Sequence, residues 1–239
     1  MMTELTLPII GYMHSSYKEK FGIPRQPNLV QVESYIEMSA PYNDVLAFEG
    51  IEAFSHLWLL WQFHDNKNPE KTQFRPQVRP PRLGGNKKIG VFATRSMYRP
   101  SQIGLSVVRL KCVKKEGKSV RVYVTGSDLL DGTPIVDIKP YIHYSDAVIN
   151  AESGYAQDEP KRKSVIWSDR AIEQKQQLLM SEKLSVQTAQ ELEAVLSLDP
   201  RPAYQDDEAR VYKMKFAAVD IAFTVGETTV NITDVELET

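Results

Sequence analysis

The sequence predicts a mainly β protein, with an antiparallel sheet or barrel over residues 1–150 and a small α+β unit over residues 160–239. Three observations predict it. Through most of the first 150 residues one β-branched or alternating apolar run follows another, without the interleaved helices that a parallel sheet needs. Residues 166–198 are the only stretch with sustained helical spacing. Between the two, residues 150–163 are polar, contain Gly154 and Pro160, and read as a linker.

Composition sets the class. The chain of 239 residues is 42% hydrophobic and 25% charged, which is ordinary for a soluble globular protein. A single cysteine, Cys112, excludes an intramolecular disulfide framework and a multi-cysteine metal site. The chain shows no charged-then-apolar leader and no apolar run of about eighteen residues, so a cytoplasmic protein with no membrane partner is expected.

Taken in order, residues 7–13 are apolar enough for a first strand. Residues 15–26 form a loop, stiffened by two prolines and a glycine between Phe21 and Pro27, that carries Arg25 and Gln26. Such a loop presents ligand contacts or is a plain surface turn. Residues 30–38 alternate like a half-buried strand. Residues 54–64, the most apolar run, suit a buried strand between other strands better than a helix. Within it His56 reads as a packed core residue, whereas His64 opens the polar His-Asp-Asn-Lys and can line a site. A zinc pair of the two lacks a third ligand nearby. Residues 66–86 form a long loop, of the kind that is usually functional. Residues 88–94, 103–114 and 120–125 read as strands, the last two joined by a hairpin at Lys114-Lys115-Glu116-Gly117-Lys118. Asp131-Gly132-Thr133-Pro134 is a strong turn signal, either a structural β-turn or a loop offering acceptors to a nucleoside. After the helical region, Asp199-Pro200-Arg201-Pro202 is a stop. Residues 211–225 and 229–237 then read as strands around Gly226. This tail is too small for a large core of its own and is expected to dock on the first domain or on RNA.

Charge is distributed unevenly. Residues 71–115 hold twelve of the 29 basic residues and none of the 31 acidic ones, so the net charge of -2 hides a basic segment in an acidic chain. That is the footprint of a polyanion partner. Arg95 and Arg99 share one loop inside it, and two guanidinium forks in one loop suit an anionic ligand. Gly-x-Gly-x-x-Gly, Gly-Lys-Ser/Thr and Gly-x-Ser-x-Gly motifs are all absent.

The ordered set Phe21-Gly22-x-Pro24-Arg25-Gln26, Phe54-Ser55-His56-Leu57-Trp58, Arg79-Pro80-Pro81-Arg82-Leu83-Gly84-Gly85, Gly90-Val91-Phe92-Ala93-Thr94-Arg95-Ser96 and Asp131-Gly132-Thr133-Pro134 resembles the YaeB/TsaA-like family. The bacterial members of that family are tRNA methyltransferase O enzymes. Asp199-Pro200-Arg201-Pro202-Ala203-Tyr204 resembles the family's C-terminal motif. The resemblance implies a single-sheet β-barrel domain over residues 1–150 that binds S-adenosylmethionine, a homodimer, and methyl transfer to the exocyclic nitrogen of threonylcarbamoyladenosine beside the tRNA anticodon. Carried over motif by motif, the cofactor contacts fall at Arg25, Gln26, Pro27, His64, Asp65, Arg95, Leu105, Asp131, Gly132, Thr133 and Pro134. The basic segment, through Lys71, Arg75, Arg79, Arg82, Lys87 and Arg99, is the expected tRNA surface, with exposed bases stacking on Tyr98 or Phe74. No metal is implied, and no residue emerges as the catalytic base. A non-catalytic module that binds RNA or an adenosine ligand is the other class the basic segment allows.

Overall fold

The computed structural model describes residues 5–65, 74–202, 205 and 207–238. The first unit contains β1 (Gly11–His14), β2 (Glu33–Met38), β3 (His56–Gln62), the two-residue strands β4 (Gln77–Val78) and β5 (Ile89–Gly90), the long β6 (Ile103–Glu116), β7 (Ser119–Thr125) and β8 (Pro134–Pro140). A single helical turn, α1 (His143–Asp146), ends it. Six of the strands close into one antiparallel barrel in the order β1-β2-β7-β6-β3-β8, with β8 pairing back onto β1. Period-2 alternation selects which face points inward. On β3, Leu57, Leu59 and Trp61 are buried, while His56, Trp58 and Leu60 are only partly covered. Val120, Val122 and Val124 of β7 join them in the barrel core.

This alternation corrects the reading of His56 as a core residue. It lies on the outer face, with Ser55 Oγ 2.9 Å from its Nδ1 and its ring edge-on to Tyr141. Two strand readings also change. The first strand begins at Gly11 rather than at residue 7. Residues 88–94 pair over only two residues before a 3-10 turn at Val91–Ala93, because Val91 turns inward while Phe92 and Ala93 remain exposed.

The second unit runs β9 (Ser164–Trp167), α2 (Asp169–Met180), α3 (Val186–Leu196), β10 (Tyr212–Phe216), β11 (Val219–Val225) and β12 (Thr229–Leu237). Its sheet has the order β10-β11-β12-β9, with β9 parallel to β12. The helical region is two helices rather than one. Glu182 takes a left-handed φ of 56°, and Ser185 caps α3 by accepting from Thr188 N at 2.9 Å, much as Ser168 caps α2.

The tail is not short of core. Its cluster, with Phe216, Phe223, Leu192 and Ile232 fully buried, is the larger of the two among the described residues. It also takes in Tyr17, Val30 and Val32 from the loop that precedes β2. Phe21 stacks on Tyr212 and Phe223, and Ala217 N donates to Ser16 O at 2.8 Å. Gly22 is required there: its φ is 92°, and a Cβ would lie 2.1 Å from Met214 Sδ. Residues 15–32 are thus held between the barrel and the second sheet.

Candidate functional site

A cavity of about 630 Å³ opens where that loop meets the barrel mouth. Five stretches wall it: residues 20–28, the end of β3 with the residues after it, the loop at residues 95–99, the start of β6, and the turn at residues 128–133. Each is fixed locally. Asn28, at a φ of 63°, donates from its backbone N to Gly126 O at 2.8 Å and from its side chain to Val107 O at 2.9 Å. Arg95 Nη1 donates to Gln26 Oε1 at 2.5 Å, tying the two arginine-bearing loops together. Arg25 Nη2 donates to the carbonyl of Arg201 at 3.0 Å, so the second unit supports one wall. Arg201 is itself buried and held by Asp199 through Nε and Nη2, both at 2.9 Å. Burial pushes the Asp199 carboxyl up, but the Arg201 bonds and charge outweigh it and leave it below the usual range.

The apolar wall rests on one glycine. Trp61 lies against Gly104, its pairing partner on β6, and meets Phe63 edge-on at 4.4 Å between centroids. Trp61 Nε1 donates to Ser106 Oγ at 3.0 Å, and Ser106 Oγ donates to Asp128 Oδ1 at 2.6 Å. Partial burial lowers the His64 imidazole below its usual value, against the pull of Asp65. Arg99 Nη2 donates to Thr94 O at 2.8 Å, while its buried Nε has no partner.

The cavity brings together Arg25, Gln26, Pro27, His64, Asp65, Arg95, Leu105 and Thr133. Asp131, Gly132 and Pro134 do not line it. Asp131 accepts from Ser15 N and Lys18 Nζ, both at 2.9 Å, Gly132 N donates to Met13 O, and Pro134 begins β8. Of the basic residues, Arg99 lies in the cavity wall rather than outside it. Arg75, Arg79, Arg82 and Lys87 are exposed; Arg75 sits 4.8 Å over the Tyr98 ring, and Arg82 bonds the carbonyl of Asp158. Lys71 lies outside the described residues. The basic segment is also divided, since Lys111 on β6 is paired with Glu33. Sequence reading missed Trp61, Phe63, Ser106 and Asp128. The first three looked like ordinary strand residues, and Asp128 stands three residues from the more conspicuous Asp131 turn. Among the described residues no group of three or more His, Cys, Asp or Glu side chains is placed to hold a metal, and no helix is long and apolar enough to cross a membrane.

Residues 12–147 match the family model described as the tRNA-methyltransferase O N-terminal domain, and residues 160–238 match the TrmO C-terminal domain. The chain is 45% identical over 208 residues to the tRNA (adenine(37)-N6)-methyltransferase of Escherichia coli strain K12, covering 87% of this chain and 86% of that protein. It is 44% identical over 223 residues to a Pseudomonas aeruginosa protein that carries the name of an S-adenosylmethionine-dependent methyltransferase, covering 92% of each. A crystal structure of TrmO from P. aeruginosa superposes with a TM-score of 0.80 at 35% identity, over 100% of this chain and 99% of that one.

Proposed function

Because the chain belongs to the tRNA-methyltransferase O family, we propose that it transfers the methyl group of S-adenosylmethionine to the exocyclic N6 of adenosine 37 of tRNA, beside the anticodon. The observation that carries this reading is the convergence of Arg25, Gln26, His64, Asp65, Arg95, Leu105 and Thr133 on one cavity from distant parts of the chain. The size suits a nucleoside-sized ligand. The donor set fits the cofactor. Arg99, whose buried Nε has no partner, lines the cavity with Arg25 and Arg95, and the three guanidinium groups offer charge and donors to its carboxylate, while Trp61, Phe63 and Leu105 offer apolar surface to its adenine. When bound, S-adenosylmethionine supplies an electrophilic methyl on a positive sulfur. The chain's own contribution is alignment and dryness: arginines that fix carboxylates and an aromatic wall that excludes water, the terms that matter most for an in-line displacement.

The acceptor in this reading already carries its threonylcarbamoyl group, whose carboxylate is a further partner for the cavity's arginines. Exposed Arg79 and Lys87 supply phosphate contacts. The protein acts in the cytoplasm as a homodimer, supported by the exposed apolar Tyr144, Val148 and Ile149 after the barrel. Sedimentation at the 27.2 kDa monomer mass at micromolar concentration would count against the dimer. The decisive experiment is mass spectrometry of tRNA nucleosides from cells lacking the protein. The N6-methyl form of threonylcarbamoyladenosine should vanish and return on complementation; its persistence would refute the activity.

A further inference from the structure

Asp128 stands apart from the other acids around the cavity. Asp65 is paired with Lys20 and Asp131 with Lys18. Asp128 lines the cavity, yet no Lys or Arg among the described residues lies within ion-pair distance of it, and its side-chain partner is Ser106. The Trp61 indole can only donate, so Ser106 Oγ accepts from it at 3.0 Å; the ionised carboxylate can only accept, so the Ser106 hydroxyl donates to Asp128 Oδ1 at 2.6 Å. The relay therefore presents Asp128 as an acceptor, one oxygen held and the carboxyl facing the cavity. An enclosed carboxylate without a cation costs stability, and such groups cluster where chemistry needs them.

We propose, resting on the methyl-transfer reading above, that Asp128 is a catalytic residue whose carboxylate takes the proton of the acceptor N6–H. A nitrogen conjugated to a ring and a carbonyl is a poor nucleophile until that proton leaves. The nitrogen lone pair forms the N–CH3 bond as the methyl–sulfur bond breaks and its electron pair stays on sulfur as a neutral thioether. The N–H pair remains on nitrogen, and the proton ends on Asp128 and passes to solvent. Burial raises the Asp128 pKa, against the Ser106 bond and the positive charge of Arg95, which makes it a stronger base than an exposed aspartate.

The test is Asp128→Asn, nearly isosteric and still able to accept from Ser106, assayed by single-turnover methyl transfer to tRNA alongside calorimetry of S-adenosylmethionine binding. We expect a rate loss of roughly 10²- to 10⁴-fold, with cofactor affinity held within about threefold. Ser106→Ala, which leaves the acid but frees its orientation and also releases the Trp61 indole, should lose roughly tenfold in rate at saturating S-adenosylmethionine, and serves if the Asn variant folds poorly. An unchanged rate in Asp128→Asn overturns the proposal. So does a weakened cofactor affinity with full rate at saturation, which would make Asp128 a binding contact. If the wild-type protein methylates no tRNA, the functional reading falls and takes this proposal with it; a wild-type rate matched by the variant removes only the proposal.

Discussion

Substituting Gly104 by alanine tests whether the cavity's aromatic wall is built as described. An alanine Cβ at this position would stand 2.2, 2.3 and 2.6 Å from Cε2, Cζ2 and Cδ2 of Trp61. Ordinary contact begins at 3.4 Å, so the ring must retreat by more than 1 Å. Trp61 is only 9% exposed and is wedged against Phe63, so it cannot slide within its plane without losing its bond to Ser106. Overpacking of this kind costs about 1–3 kcal/mol, and the lost hydrogen bond adds roughly 1 kcal/mol. For a chain of this size the total corresponds to a fall in Tm of roughly 5–15 °C. Because Trp61 lines the cavity, its displacement should lower S-adenosylmethionine affinity about tenfold. Calorimetric melting and a binding titration check both. A Gly104→Ala protein that melts within 1 °C of wild type and binds normally would show that Trp61 does not rest on residue 104.

The remaining predictions concern the second unit and the basic surface. Arg201→Ala should cost about 1–3 kcal/mol in urea unfolding, because it removes two hydrogen bonds to the partly buried Asp199 and leaves it only Lys163, 3.6 Å away. The Asp199 pKa is lowered in the folded state, so its contribution is complete above the usual 3.8 and is lost as pH falls through the folded value; Asp199→Asn should flatten that acid limb, and an unaltered limb in acid titration would contradict it. Arg79→Ala and Lys87→Ala should each reduce the log–log salt slope of tRNA binding by roughly one and leave cofactor affinity unchanged; filter binding across a salt series that gives the wild-type slope would remove these side chains from the RNA surface.

Much of the site was legible before any coordinates. The family motifs named Arg25, Gln26, His64, Arg95, Leu105 and Thr133 as cofactor contacts, and the structure brings all six onto one cavity; the stiff loop and the turn that hold Arg25, Gln26 and Thr133 are also announced locally by Pro, Gly and Asp. Period-2 alternation likewise announced β2, because burial on one face of a pleated strand is written locally; β3, β6 and β7 were legible from apolar, aromatic and β-branched content and the hairpin turn instead.

Properties that depend on a partner far along the chain were settled by tertiary structure alone. Two residues of β5 pair where a full strand was expected, because Val91 finds a buried pocket that ends the pairing. The C-terminal core also takes in Tyr17, Val30 and Val32, which no local pattern assigns to it. Asp131, the most conspicuous acid of the turn, faces Ser15 and Lys18, while the inconspicuous Asp128 faces the cavity. An alternating or turn-forming sequence determines which side a residue takes relative to its neighbours; what stands on that side, and hence whether a carboxylate meets a lysine, a serine or a ligand, is determined by the closure of the barrel.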